Sequence, residues 1–166
     1  MLIRFDNGYV LAYSSKRMLG AITAIGSPEE FINTKNMGPD ALSIELDSFR
    51  KLVNGSRKNI KSTLMDQSAL AGIGNIYSDE ILFQAGIRPD ARAGSIENKG
   101  LQKLYRTMKL VLNKAINRKA DPSRMPGSWL IPNRNKDSTC PKCGKKLKHK
   151  KINGRTGYFC GNCQKK

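Results

Sequence analysis

All four cysteines of this chain lie in its C-terminal region, as two Cys-x-x-Cys pairs. The pairs are Cys140 with Cys143 and Cys160 with Cys163, and residues 144–159 separate them. Each pair can present two thiolates to one ion, and two pairs complete a tetrahedral Zn²⁺ site with no open position. The spacing therefore predicts a zinc ribbon that holds one structural zinc ion. The alternative is a redox dithiol or a pair of disulfides.

The segment between the two pairs has the pattern of a β-hairpin. It predicts strands at 148–152 and 156–159 with Asn153-Gly154 as the turn, because Asn-Gly tolerates the positive φ angles of a tight turn. A module this small has no core of its own, so metal binding supplies much of its folding free energy. His149 is out of register with both cysteine pairs and is predicted to be a surface residue.

The charge of the chain is strongly positive. Lysine and arginine number 30 against 13 acidic residues, which gives a formal net charge of +17. Between Arg134 and Lys166 the sequence has a single acidic residue, Asp137. Such an excess indicates a polyanionic partner, because each phosphate that is neutralised releases condensed counterions. Nucleic acid fits this charge better than an acidic membrane or an acidic protein.

The remaining pattern predicts an α+β fold. Residues 2–5 and 9–13 flank Asn7-Gly8 as a hairpin, and a third strand is expected over 19–25. Helices are expected over 47–53, 61–66 and 76–85, and a long packing helix over 101–116 has apolar residues three and four apart. The pattern divides the chain into a strand remnant of something larger (1–38), a helical body (39–118), a linker (119–133) anchored by Trp129-Leu130-Ile131, and the zinc ribbon (134–166).

A glycine turn precedes the helix expected at 76–85. Its residues are Gly72-Ile73-Gly74-Asn75. The start of a helix presents free backbone N–H groups and a partial positive charge, which together attract anions. Asn75 can cap the helix or donate its amide to the anion. The turn thus indicates a phosphate site, while two glycines before a helix also occur as a plain turn.

Several segments closely resemble the formamidopyrimidine-DNA glycosylase and endonuclease VIII family. The segments that resemble its helix–two-turn–helix are Leu64-Met65-Asp66-Gln67, Gly72-Ile73-Gly74-Asn75-Ile76-Tyr77, Asp79-Glu80-Ile81-Leu82-Phe83 and Ala85-Gly86-Ile87-Arg88-Pro89. The ribbon resembles the zinc finger of that family, including Gly154-Arg155-Thr156 and the closing Cys163-Gln164. The resemblance spans nearly the whole chain and implies binding of damaged or abasic duplex DNA in base-excision repair.

The resemblance also implies roles for individual residues. Asn75 and Lys61 match residues that bind phosphates beside the lesion, and Arg155 matches the finger arginine that grips the phosphates of the extruded nucleotide. In the segment 13–20, Arg17 matches a residue facing the orphaned base, and Leu19 stands where the family usually has a wedging phenylalanine. The alternatives are a solvated lysine for Lys61, a strand-edge charge for Arg17 and a core residue for Leu19.

The start of this sequence departs from the family pattern. The family carries its chemistry on an N-terminal Pro-Glu pair, whose proline amine attacks the sugar, whereas this sequence opens Met1-Leu2-Ile3. No catalytic residue is therefore assigned, and we expect no base excision by the chain as written. Three functions stay open: a DNA-binding module, an active glycosylase and abasic-site lyase whose catalytic part is encoded upstream or on another chain, and an RNA-binding zinc-ribbon protein.

Partners and location are also expected from the sequence. Apolar residues of the β remnant, such as Ile3, Phe5 and Tyr9, should be exposed and covered by self-association or by a missing N-terminal chain. The sequence has no apolar stretch of about 20 residues, the length of a membrane span. Together with reduced cysteines this predicts a cytoplasmic protein, associated with the nucleoid if bacterial.

Overall fold

The computed structural model describes residues 1–15 and 20–166. These residues form five α-helices and two antiparallel β-hairpins, which confirms the α+β class. The elements in chain order are β1 (Leu2–Arg4), β2 (Val10–Ala12), α1 (Pro28–Thr34), α2 (Leu46–Gly55), α3 (Ile60–Leu64), α4 (Asn75–Ala85), α5 (Asn98–Asn117), β3 (Lys148–Ile152) and β4 (Arg155–Phe159). Two compact units contain them, Met1–Thr34 and Lys35–Lys166.

The first unit contains the N-terminal hairpin. Its strands pair Leu2 with Ala12 and Arg4 with Val10, around a turn in which the Asn7 side chain accepts a bond from the Tyr9 N–H. Tyr9 is 75% exposed, and other apolar side chains of the hairpin are also open to solvent. The exposure agrees with the expectation from sequence for Phe5 and Tyr9, whereas Ile3 is half-buried. That self-association or a further chain covers these residues stays a prediction.

Helix α1 lies at the end of this unit, in a segment where the sequence pattern predicts no element. The prediction of a third strand over 19–25 is wrong for its described part, since residues 20–25 form no strand. A β-branched segment forms a strand only where a neighbouring strand can bond to its backbone. Helix α1 then begins at Pro28. Ser27 Oγ accepts the Glu30 N–H, and Glu30 Oε2 accepts the Gly26 N–H. This arrangement is close to a capping box and is encoded by Ser-Pro-Glu-Glu.

In the second unit, the core forms around α4 and α5. The predicted apolar stripe of α5 is confirmed, with Leu104 and Met108 fully buried. Helix α4 is buried on nearly all sides and ends at Gly86, whose φ of 77° is the left-handed conformation that closes helices. The linker is anchored as predicted, because Trp129 and Leu130 are both buried.

The C-terminal hairpin packs against the helical body. Its strands pair Lys148 with Phe159 and Ile152 with Arg155, and β4 lies along α4. Phe159 and Ile152 are buried on the face that meets the body. Within the described residues, no helix has the length and apolar content needed to cross a bilayer.

Candidate metal centre and nucleic-acid interface

The four cysteine thiols converge on one point. Their Sγ atoms all lie within 4.8 Å of one another, with Cys140 and Cys163 3.8 Å apart and Cys143 and Cys160 3.5 Å apart. Zinc bonded to four thiolates at ~2.3 Å in a tetrahedron requires sulfur–sulfur separations of about 3.8 Å. The donor set therefore fits one structural Zn²⁺, as the sequence predicts.

The backbone that follows the first cysteine pair favours the thiolate form of Cys143. Gly144 has a φ of 70°, which turns the chain sharply after Cys143. A hydrogen bond from the backbone of Lys145 lowers the pKa of Cys143 to about 7. That thiol therefore loses its proton near neutral pH, in the form that binds metal.

Gln164 connects the second cysteine pair to the helical body through hydrogen bonds. Its Oε1 accepts the Cys160 N–H at 2.8 Å, and its Nε2 donates to the carbonyl of Ile87 at 2.7 Å. The side chain is 1% exposed, and the adjacent Lys165 exchanges backbone bonds with Gly86 and Arg88. The metal centre is thus fixed to the segment that follows α4.

The other end of the hairpin meets the beginning of α4. Gly74 is the N-cap of this helix and has no side chain, so no side chain among residues 1–15 and 20–166 caps the first N–H groups of α4. Asn75 Nδ2 donates to the carbonyl of Thr156 at 3.3 Å. Its Oδ1 is buried and has no hydrogen-bond partner among the described residues.

Arg155 begins β4, directly beside Thr156, and is exposed. It lines a polar cavity of about 390 Å³ together with Lys58, Ser62 and Asn153. The structure therefore brings the hairpin tip next to the beginning of α4. Asn75 and Arg155, which are 80 positions apart in sequence, lie on two segments that contact each other.

The structure corrects the sequence interpretation of Lys61. This side chain is fully buried, and its Nζ donates to Asp79 Oδ1 at 2.6 Å, to Ser78 Oγ at 2.8 Å and to the carbonyl of Asn75 at 3.0 Å. Burial lowers the pKa of Lys61, and the Asp79 charge opposes that shift. With three acceptors already bound, the ammonium holds the first turn of α4 internally and offers no direct phosphate contact.

Asp79 is the residue that the sequence reasoning missed. Its Oδ1 pairs with Lys61, and its Oδ2 accepts bonds from Arg134 Nε and from the Tyr158 N–H, both at 3.0 Å. Arg134 also donates to the Thr156 carbonyl at 3.0 Å. We call Lys61, Asp79, Arg134 and Tyr158 the finger joint, because they tie α3 and α4 to the first residue of the zinc ribbon and to β4. An available signal was that Asp79 and Glu80 directly precede the apolar run Ile81-Leu82-Phe83.

Glu80 anchors the linker in a similar way. Its Oε2 accepts the Ile131 N–H at 2.7 Å, and its Oε1 accepts Gln84 Nε2 at 2.6 Å. Burial raises the pKa of Glu80 above its ordinary 4.5, although these hydrogen bonds oppose the shift. The folded protein consequently holds this proton more tightly than the unfolded chain.

This shift predicts a pH dependence. As pH rises from 4.5 through the raised pKa of folded Glu80, ionisation of Glu80 lowers the free energy of unfolding. Glu80→Gln should remove this pH-dependent loss of stability. The free energy of unfolding of the variant should therefore increase relative to that of the native protein as pH rises. Urea unfolding across this range measures the difference. The exposed Glu45→Gln is the matched control, and a difference independent of pH would contradict the prediction.

Two expected site residues, Arg17 and Leu19, lie outside the described residues. His149 is exposed on β3, as the sequence predicts. The described candidates thus fall into three groups: the metal ligands, the half-buried Asn75 with the exposed Arg155, and Lys61 in the interior.

Comparison with known sequences identifies both parts of this arrangement. Residues 37–126, more than half of the chain, match the formamidopyrimidine-DNA glycosylase H2TH domain, where H2TH denotes helix–two-turn–helix. The chain belongs to the formamidopyrimidine-DNA glycosylase family. Residues 137–166 match the zinc finger found in formamidopyrimidine-DNA glycosylase (FPG) and IleRS. The metal centre is therefore a zinc finger of this family.

Individual relatives agree with this assignment. The formamidopyrimidine-DNA glycosylase of Histophilus somni (strain 2336) is 36% identical over 176 residues, which cover 99% of this chain and 65% of the relative. The Lactococcus lactis Fpg in complex with abasic-site DNA superposes with a TM-score of 0.70 at 29% identity, covering 82% of this chain and 54% of that one. MutM in complex with DNA containing carbocyclic 8-oxo-G gives 0.68 at 29% identity, covering 82% and 53%. This chain thus spans about two thirds of the length of the curated relatives it matches.

Proposed function

We propose that this chain binds duplex DNA at damaged or abasic sites in base-excision repair, in the cytoplasm and at the nucleoid if bacterial. The observation that carries the proposal is the contact between the beginning of α4 and the tip of the zinc-finger hairpin, through Asn75 and the Thr156 carbonyl. Two matched domains of one family and a net charge of +17 support it.

The chemistry of this contact suits a phosphate. The beginning of α4 supplies N–H groups and the positive end of the helix dipole. Asn75 contributes a neutral amide donor, and the exposed Arg155 contributes a guanidinium that can bind two phosphate oxygens. These donors recognise the phosphate backbone of DNA. They therefore position the duplex without distinguishing one base sequence from another.

Alanine substitutions at these two residues test the proposal. Asn75→Ala and Arg155→Ala should each weaken binding to a duplex containing an abasic-site analogue by roughly 1–3 kcal/mol, the scale of a hydrogen bond to a charged group. Arg155→Ala should also reduce the slope of log affinity against log salt by about one, since one cation is lost, while Asn75→Ala should keep the slope. Fluorescence anisotropy at several salt concentrations measures both quantities.

Lys51→Ala is the control for these variants, because Lys51 is an exposed lysine on α2 and belongs to neither segment of the contact. Circular dichroism and zinc content confirm that each variant is folded. Affinities equal to that of Lys51→Ala would refute the phosphate roles. Stronger binding to double-stranded RNA than to DNA would favour the RNA-binding alternative.

A second candidate function is base excision with cleavage at the abasic site. The curated relatives that the chain matches at 65% of their length bear the name glycosylase, which favours this activity for an assembly that supplies further residues. Borohydride trapping on lesion-containing DNA, by this chain alone and by an assembly that supplies the further residues, distinguishes the two candidates. Efficient trapping that a single substitution abolishes would establish an active site within these residues.

A further inference from the structure

The zinc-finger hairpin has a second face, on which Tyr158 packs against the body while His149 stays exposed. Its paired residues are His149 with Tyr158 and Lys151 with Thr156. His149 and Lys151 are exposed, and Tyr158 and Thr156 are half-buried. The opposite face carries the buried Ile152 and Phe159, so on this face His149 and Lys151 are the side chains that a partner can reach.

Two rings stack on this face. The ring centroids of His149 and Tyr158 are 5.9 Å apart with an angle of 29° between the planes. The guanidinium of Arg134 lies 4.7 Å from the centroid of the Tyr158 ring. We call these three residues the ring platform.

The ring platform is held in place before any partner arrives. Asp79 binds both Arg134 and the backbone N–H of Tyr158, so two of its three members are fixed to α4. A rigid aromatic surface loses little conformational entropy when another ring stacks on it. His149 is the exposed member, and a new ring can reach it from solvent.

Cations surround the exposed end of the platform. A cleft of about 350 Å³ beside His149 is lined by Lys136, Lys146 and Lys148, with Asp137 as its acidic residue. The Lys146–Asp137 pair is 3.6 Å apart and exposed, so it leaves the excess positive charge of the cleft available. Stacked aromatic rings beside lysines are the arrangement that binds unpaired bases and the phosphates between them.

We propose that the ring platform and its cleft bind single-stranded DNA, with an unpaired base stacked on His149 and neighbouring phosphates on the three lysines. The site is distinct from the proposed duplex contact, which uses Asn75 and Arg155 at the other end of the hairpin. An intact duplex keeps its bases stacked inside, whereas a strand that is unpaired next to a lesion exposes them. An acidic peptide would satisfy the lysines but would leave the ring of His149 without a partner.

Single-stranded oligonucleotides containing 2-aminopurine test this proposal with the full zinc-bound chain. Stacking on His149 should quench the 2-aminopurine fluorescence on binding. His149→Ala should weaken affinity about tenfold, on the scale of one lost base stack, and should remove the quenching. His149→Phe should retain both, because it keeps a ring and removes only the imidazole nitrogens.

A base-free oligonucleotide of abasic residues separates stacking from charge. Lys146→Ala should weaken binding to the base-containing and base-free strands by similar factors, whereas His149→Ala should affect only the base-containing strand. Lys51→Ala serves as the control for removal of a lysine elsewhere. Zinc content and melting temperature of the His149 variants detect a role that is merely structural.

Three results would overturn the proposal. They are absence of single-strand binding, equal affinities of His149→Ala and the native chain, and loss of binding in His149→Phe as complete as in His149→Ala. The duplex measurements on Asn75 and Arg155 report separately on the proposed function. A native chain that binds the abasic duplex but not the single strand would retain that function and refute the ring platform.

Discussion

Replacing Cys160 with serine should unfold the zinc finger and lower affinity for abasic duplex DNA by about 100-fold. The thiol is fully buried among the four ligands, so a hydroxyl in its place leaves the ion short of one thiolate. Structural zinc contributes about 10–16 kcal/mol in isolated fingers. The loss of affinity follows because Arg155 leaves its position and Asn75 loses its bond to Thr156, and two such contacts are worth about 1–3 kcal/mol each.

The helical body should survive this substitution. The main apolar cluster, which includes residues of α2, α4 and α5, contains none of the cysteines. The far-ultraviolet circular dichroism spectrum should therefore keep its helical signal. Metal analysis should find less than about half an equivalent of zinc, because the site then lacks one of its four ligands. Chelation of the native chain should reproduce both effects, and added zinc should reverse them only in the native chain. Loss of the helical signal together with zinc would show that the finger and the body fold as one unit.

Asp79→Ala should destabilise the protein by about 3–5 kcal/mol, the cost of leaving a buried charge without its partner. Lys61 is fully buried beside Asp79, so its ammonium loses its counter-charge in the interior. Arg134 and the Tyr158 N–H lose the same acceptor, so the finger should also loosen from α4. Urea unfolding measures the stability, and duplex affinity reports the position of the finger.

A matched pair of variants isolates the charge effect. Asp47→Ala removes an ion pair of similar length, 2.9 Å to Arg50, whose aspartate is 83% exposed, and should cost less than about 1 kcal/mol. Asp79→Asn should be strongly destabilising, and adding Lys61→Met should recover part of the loss because the unpaired ammonium is then absent. A double variant less stable than Asp79→Asn alone would show that Lys61 contributes mainly through its contacts with Ser78 and Asn75.

Local patterns in the sequence were enough to predict the metal centre. The four ligands sit in two Cys-x-x-Cys pairs joined by one hairpin, and Asn153-Gly154 sets the turn of that hairpin. Covalent spacing alone brings these thiols within reach of one ion. The stripe of α5 and the helix after the glycine turn were predictable for the same reason, since a helical period is a property of neighbouring residues.

Helix α1 shows a local signal that was present and not used. Its Ser-Pro-Glu-Glu start carries the capping serine and glutamate in the required spacing. The preceding β-branched residues instead favoured a strand. Propensity predicts a strand only where a neighbouring strand can accept its backbone hydrogen bonds, and local propensity carries no information about that neighbour.

By itself the sequence determined the zinc ligands, the hairpin between them and the buried stripe of α5. Only the tertiary structure decided that Lys61 is an internal cation, that Asp79 joins the finger to α4, and that Arg134 lies against Tyr158. Asp79 is 18 residues from Lys61, 55 from Arg134 and 79 from Tyr158. At these separations no helical or strand period relates the partners. A charged residue is driven into the interior only when packing supplies its counter-charge and hydrogen bonds at the same point, and that coincidence is a property of the folded chain.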